Sequence, residues 1–136
     1  MNDFTQTLIT ELRGHDGKVT RGPMAGTPLL ILTTTGARTG ERRTTVVDYT
    51  RDGESYVVAA SKGGAPTNPG WYFNLVARPQ VTVEVDGERF EARARVATGA
   101  ERDQLWARHV EAIPLFGDYP ARTTRVIPMV VLDRVP

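Results

Sequence analysis

Apolar and polar positions fall into short blocks along this chain. Leu29–Thr35 is a continuous apolar run closing on threonines, which predicts a strand buried on both faces. Further strand-like runs follow at Thr44–Thr50, Ser55–Ala60, Val81–Val85, Arg89–Val96 and Ile127–Leu132. Asp52-Gly53 and Asp86-Gly87 separate neighbouring runs and predict tight hairpins. Glu84 and Glu88 flank the second turn and predict a solvated sheet edge there.

Helical period occurs three times. Phe4, Leu8, Ile9 and Leu12 predict an amphipathic helix over Asp3–Arg13, ended by Gly14-His15-Asp16-Gly17 and followed by an irregular stretch to Pro28. Asn68-Pro69 opens a second helix, with the asparagine as its cap, that runs through Trp71, Leu75 and Val76 and stops before Pro79. Thr98 caps a third, Ala100–Ile113, with Leu105, Trp106, Val110 and Ile113 as its apolar stripe. The expected fold is mainly β (α+β): a small barrel of about six antiparallel strands, with helices at the N-terminus, mid-chain and in the C-terminal half. One domain spans 1–136, and 1–25 form its N-terminal helix and lead-in.

Composition narrows the function classes. Hydrophobic residues at 40% and charged residues at 24% are an ordinary globular balance, and a net charge of +1 gives no broad field for nucleic acid. There is no cysteine, and the only histidines, His15 and His109, fit no metal-ligand pattern. No metal is expected. The apolar runs fall far short of the roughly 18 residues that span a bilayer. Met1-Asn2-Asp3-Phe4 opens no secretory pattern, so a cytoplasmic protein is the default expectation.

Local chemistry is more telling. The turn Gly36-Ala37-Arg38-Thr39-Gly40-Glu41-Arg42-Arg43 concentrates Arg38, Arg42 and Arg43 at a strand end. Arg38 and Arg43 flank a Thr-Gly turn, where their guanidinium groups could converge on one phosphate. A solvated hairpin tip accounts for the same charges equally well. A second strand end releases Ser61-Lys62-Gly63-Gly64-Ala65-Pro66, whose glycines let backbone amides approach a ligand. It matches neither G-x-x-x-x-G-K-[ST] nor G-x-G-x-x-G. Asn74 and Trp71 on the following helix could face that ligand, with the core an equal alternative for Trp71, while Phe73 and Trp106 read as core. Tyr119, in Phe116-Gly117-Asp118-Tyr119-Pro120, either closes over a pocket or packs on the barrel end. No nucleophilic triad is legible, and Asp48 and Asp52 have no acid/base spacing. Hard chemistry here calls for a cofactor, a flat aromatic ring with a phosphate tail.

These motifs together resemble the deazaflavin-dependent nitroreductases, the split-barrel quinone reductases of actinobacteria. The resemblance runs from Gly26-Thr27-Pro28 to Pro128. It is carried by Leu32–Gly40, Ala59–Pro66, Trp71-Tyr72-Phe73-Asn74-Leu75 and Tyr119-Pro120-Ala121-Arg122-Thr123-Thr124-Arg125-Val126-Ile127-Pro128. It implies a split β-barrel binding reduced coenzyme F-420, an 8-hydroxy-5-deazaflavin with a phospholactyl-oligoglutamate tail. By matching position Arg38, Arg43 and Lys62 would hold the phosphate, with Thr39 and Gly63 beside them. Thr44, Thr45, Val46, Val47, Ala59, Ala60, Ser61, Trp71 and Asn74 would line the deazaflavin. Ser61 and Tyr119 would serve catalysis, facing the substrate together with Asp48 and Phe116.

The implied reaction is hydride transfer to a quinone, nitroaromatic or activated alkene. A flavin mononucleotide oxidoreductase on a similar barrel is one rival reading; a non-catalytic protein that binds or sequesters the deazaflavin is another. The implied partner is a quinone-like small molecule, with no nucleic acid, in a monomer or homodimer. Phe4 and Leu8 of the N-terminal helix could instead touch the inner membrane surface weakly.

Overall fold

The computed structural model describes residues 3–15, 17–19, 26–61, 68–113 and 126–135. Strand β1 (Leu29–Thr35) is buried along almost its whole length. Its side chains alternate between two cores: Leu30 and Leu32 enter one, Leu29 and Ile31 the other. Burial on both faces explains why the run lacks polar alternation. Leu8, Ile9 and Leu12 of helix α1 (Asp3–Gly14) cover the Leu29–Ile31 face. Each such side chain contributes about 1.5–3 kcal/mol of burial. Leu8 is therefore spent inside the fold, and of the pair expected at a membrane surface only Phe4 is exposed. No described helix is long and apolar enough to cross a membrane.

The other elements are β2 (Arg42–Asp48), β3 (Thr50–Asp52), β4 (Ser55–Ala59), α2 (Gly70–Ala77), β5 (Gln80–Val85), β6 (Glu88–Val96), α3 (Gly99–Ala112) and β7 (Met129–Arg134). Every strand pairing is antiparallel, in the order β2-β1-β5-β6-β7-β4-β3. The two ends of that order, β2 and β3, are consecutive in the chain and separated by Tyr49 alone. One bent segment thus forms both edges, and the sheet must curl until they meet. This topology is the split barrel.

The single run expected at Thr44–Thr50 is divided accordingly. Tyr49 donates its N–H to the Pro28 carbonyl at 3.2 Å, and Thr50 leaves β1 to pair with Val57. Seven described strands result, where about six were expected. The Asp86-Gly87 turn is a hairpin as predicted, with φ of 50° and 78° at its two residues. It is not a sheet edge, however. β5 and β6 lie inside the strand order, and Glu84 is held by Arg13 of α1 at 3.0 and 2.9 Å.

The barrel interior holds Leu30, Leu32, Val58, Val81, Val83 and Leu132, closed by Leu75 of α2. A further core joins α3 to β4 and β7 through Leu105, Val57 and Val131, with Trp106 packed against it as expected. Pro69, not Asn68, occupies the N-cap position of α2, without a side-chain cap bond. Thr98 does stand at the N-cap of α3, without a side-chain cap bond. Phe73 departs from its expected place in the core and is 54% exposed. Helical geometry accounts for this, because Phe73 lies two positions from both Trp71 and Leu75, roughly 200° around the axis. Trp71 and Leu75, four apart, share the face on the barrel.

Candidate functional site

β1 and β4 run in the same direction, as the chain of antiparallel pairings between them requires. Their C-terminal ends, Thr35 and Ala59, therefore emerge at one end of the barrel. The link from β1 to β2 is a tight turn at that end. Gly36 N–H donates to the Glu41 carbonyl at 2.7 Å and Gly40 N–H to the Gly36 carbonyl at 3.0 Å. Glu41 N–H donates to Thr39 Oγ1 at 3.2 Å. Gly36 has to be small here, since a Cβ would stand 2.8 Å from Thr39 Oγ1.

Asn74 ties this turn to α2. Its Oδ1 accepts the Ala37 N–H at 3.0 Å, and its Nδ2 donates to Thr34 Oγ1 at 3.2 Å. Thr34 is fully buried and faces Arg43 across the β1–β2 ladder. Between turn and helix lies an open depression of about 380 Å³, lined by Gly36, Ala37, Arg38, Thr39 and Arg43 from the turn and β2 and by Gly70, Phe73 and Asn74 from α2. Gly70 is the first residue of α2, whose opening turn carries no acid. Two guanidinium groups and a helix N-terminus thus border one cavity, a donor set suited to an anion. Arg43 also pairs with Glu41, Nη2 to Oε2 at 3.1 Å.

The third arginine of the turn is directed elsewhere. Arg42 donates to Thr82 Oγ1 at 2.7 Å and to Thr35 Oγ1 at 3.3 Å, and Thr82 in turn donates to Glu91 at 2.9 Å. The cluster expected at Arg38, Arg42 and Arg43 is therefore split, because neighbouring strand residues face opposite ways.

The same alternation sorts the rest of β2. Arg43, Thr45 and Val47 share one face, and Val47 packs on the barrel interior. Thr44 meets Thr33 across the ladder at 3.1 Å between hydroxyls, and Val46 packs on the α1 core. Asp48 shares the face of Val46, opposite Leu29, and burial pushes its carboxyl above the usual range. At the end of β4, Ala59 is packed toward α3, and Ala60 donates its N–H to the Pro128 carbonyl at 2.9 Å. Ser61 follows, buried at 8% exposure. Trp71 lies against the barrel core and is half-buried. Lys62, Gly63, Phe116 and Tyr119 fall outside the described residues.

Three contributors escaped the sequence reading. Phe73 and Gly70 line the depression, and counting residues around α2 would have turned Phe73 outward. Glu41, expected only as part of the turn, is the acid paired with its arginine.

A curled antiparallel barrel with a cationic, anion-suited depression at one end defines a split-barrel protein. Comparison with known proteins refines that class. The family model for F420H(2)-dependent quinone reductase matches residues 5–134, and the chain belongs to this family. An F420H(2)-dependent quinone reductase of Mycobacterium tuberculosis is 42% identical over 125 residues, 90% of this chain and 84% of the relative. The solved structure of an F420-H2 dependent reductase (FDR-A) overlays with a TM-score of 0.72 at 36% identity, covering 78% of this chain and 94% of that one. A chain described as a domain-swapped dimer gives a TM-score of 0.74 at 33% identity, covering 94% of this chain and 93% of that one.

Proposed function

We propose that this chain transfers a hydride from reduced coenzyme F420 to a quinone-like acceptor. The observation that carries the reading is the depression holding Arg38 and Arg43 beside the start of α2, in a chain of an F420H(2)-dependent family. Its donors fit the cofactor's anionic tail. Arg38 and Arg43 would grip the phosphate, joined by Lys62, with Thr39 and Gly63 alongside. The ring would lie toward the barrel end, along Thr45 and Val47 of β2, the backbone of Thr44 and Val46, the β4 terminus Ala59–Ser61, and Trp71.

When bound, the reduced deazaflavin supplies the hydride. The protein's own residues bind, orient and exclude water. Apolar walls from Val47, Ala60 and Trp71 would keep the ring side dry. Ser61 and Tyr119 would donate hydrogen bonds to an acceptor oxygen as negative charge develops there. Asp48 and Phe116 would border the acceptor. Asn74, bonded to both the turn and β1, would hold Arg38 and Arg43 in register with α2 as well as meeting the ligand. The 33% likeness to a chain described as a domain-swapped dimer supports a homodimer, which light scattering tests.

Anaerobic turnover of menadione with a deazaflavin-regenerating system is the direct experiment, with reduced flavin mononucleotide in a parallel arm. Turnover with the deazaflavin alone is expected. Turnover with the flavin alone, or tight deazaflavin binding with no menadione reduction, would refute the reading.

A further inference from the structure

We propose that Thr34 is a positioning residue for the cofactor's tail: it holds the Asn74 carboxamide so that an N–H donor, and no oxygen, meets the phosphate. The inference rests on the reading above, that Arg38 and Arg43 grip that phosphate. It assigns Asn74 to the tail and leaves the ring to other residues.

The polarity of Asn74 is set by its neighbours. The Ala37 N–H is a backbone donor with no lone pair to offer, so only Oδ1 can meet it, at 3.0 Å. Nδ2 then stands on the other side, 3.2 Å from Thr34 Oγ1. That hydroxyl accepts one of the two Nδ2 hydrogens. The second is left for the depression that Asn74 lines. Gly70 and Phe73, the other residues α2 sends there, carry no polar side-chain atom. This hydrogen is therefore the one side-chain donor that the described part of α2 offers a ligand in the depression. An amide whose oxygen already accepts a bond also donates more strongly through its nitrogen.

Thr34 is placed to hold that amide. It follows Leu30 and Leu32 on the face of β1 that lines the barrel interior. It is fully buried, so its hydroxyl must find its partners within the protein. Across the ladder it faces Arg43, so the amide is anchored at the level of a phosphate-gripping arginine. A valine would keep the shape of Thr34 and remove the acceptor. The Nδ2 hydrogen, left unsatisfied, would then draw the amide out of line.

The test is a fluorescence titration of the full chain with two ligands sharing one ring: F420, and the same 8-hydroxy-5-deazaflavin with a ribityl chain and no phosphate. Thr34→Val should weaken F420 about fivefold, and Thr34→Ser should restore wild-type binding. Asn74→Asp is the sharper variant. Its carboxylate still accepts the Ala37 N–H, and the Thr34 hydroxyl can turn to donate, so the helix stays tied to the arginine turn. It offers the phosphate no hydrogen, and F420 should bind about thirtyfold more weakly. The phosphate-free ring should bind the wild type and all three variants alike. Unchanged F420 affinity in Thr34→Val or Asn74→Asp, equal losses for both ligands, or no rescue by serine would overturn the proposal. Should Thr34→Val not fold, Asn74→Asp decides by itself. Failure of the parent reading looks different: the wild type would bind the two ligands equally, or neither.

Discussion

Thr50 and His109 meet at 3.1 Å, Oγ1 to Nδ1, where α3 lies against the short strand that closes the barrel. His109 is fully buried, and burial lowers its pKa from 6.5 to about 4. The folded protein therefore keeps this imidazole neutral across a range in which the unfolded chain protonates it. Stability from this site is complete above pH 6.5 and is lost as pH falls to about 4. The loss approaches about 3 kcal/mol, at 1.36 kcal/mol per pH unit. Urea midpoints between pH 7 and pH 4 should fall more steeply for the wild type than for His109→Gln. Parallel curves would show that His109 does not drive the acid limb.

Asn74 spans α2, the arginine turn and β1 with one carboxamide. Asn74→Leu should leave the Thr34 hydroxyl without its partner and release the Ala37 amide, costing about 1–2 kcal/mol of stability. Cofactor affinity should drop about three- to tenfold, because Arg38 would no longer be held in register. Thermal unfolding and a deazaflavin titration on the same preparation separate the two effects. Unchanged affinity would remove Asn74 from the site.

Gly17 adopts a φ of +83°, and a Cβ there would stand 2.4 Å from the backbone nitrogen of Asp86. Gly17→Ala should cost about 2–3 kcal/mol through left-handed strain and the clash. Gly14→Ala is the matched control, with nothing within 4 Å of its added Cβ. It should change stability by no more than about 0.5 kcal/mol. Similar melting temperatures for both variants would contradict the close approach of the two turns.

Much of the fold was legible because strands and helices announce themselves by period. Leu29–Thr35 and the α3 stripe needed only local pattern. What local pattern reports is burial, not pairing. Nothing in Thr44–Thr50 marks Tyr49 as the point where the chain changes partner, so the division into β2 and β3 was invisible. Glu84 resembled an edge residue because its partner, Arg13, lies 71 positions away. At the site, the motif brought the arginine turn and Asn74 into view, and they share one depression. It also grouped Arg42 with its neighbours, although strand alternation sends Arg42 to Thr82. Reading β2 from Arg42 onward would have separated them. Lys62, Gly63, Phe116 and Tyr119 fall outside the described residues.

The most direct test of the account is the affinity of Arg38→Ala/Arg43→Ala for reduced F420, measured by fluorescence titration beside a melting curve. Both side chains are exposed at the depression, and their loss should leave the barrel intact. Binding should weaken by about 2–4 kcal/mol, two charged hydrogen-bonding partners with incomplete additivity. A double variant that melts like the wild type and still binds the cofactor with wild-type affinity would contradict it.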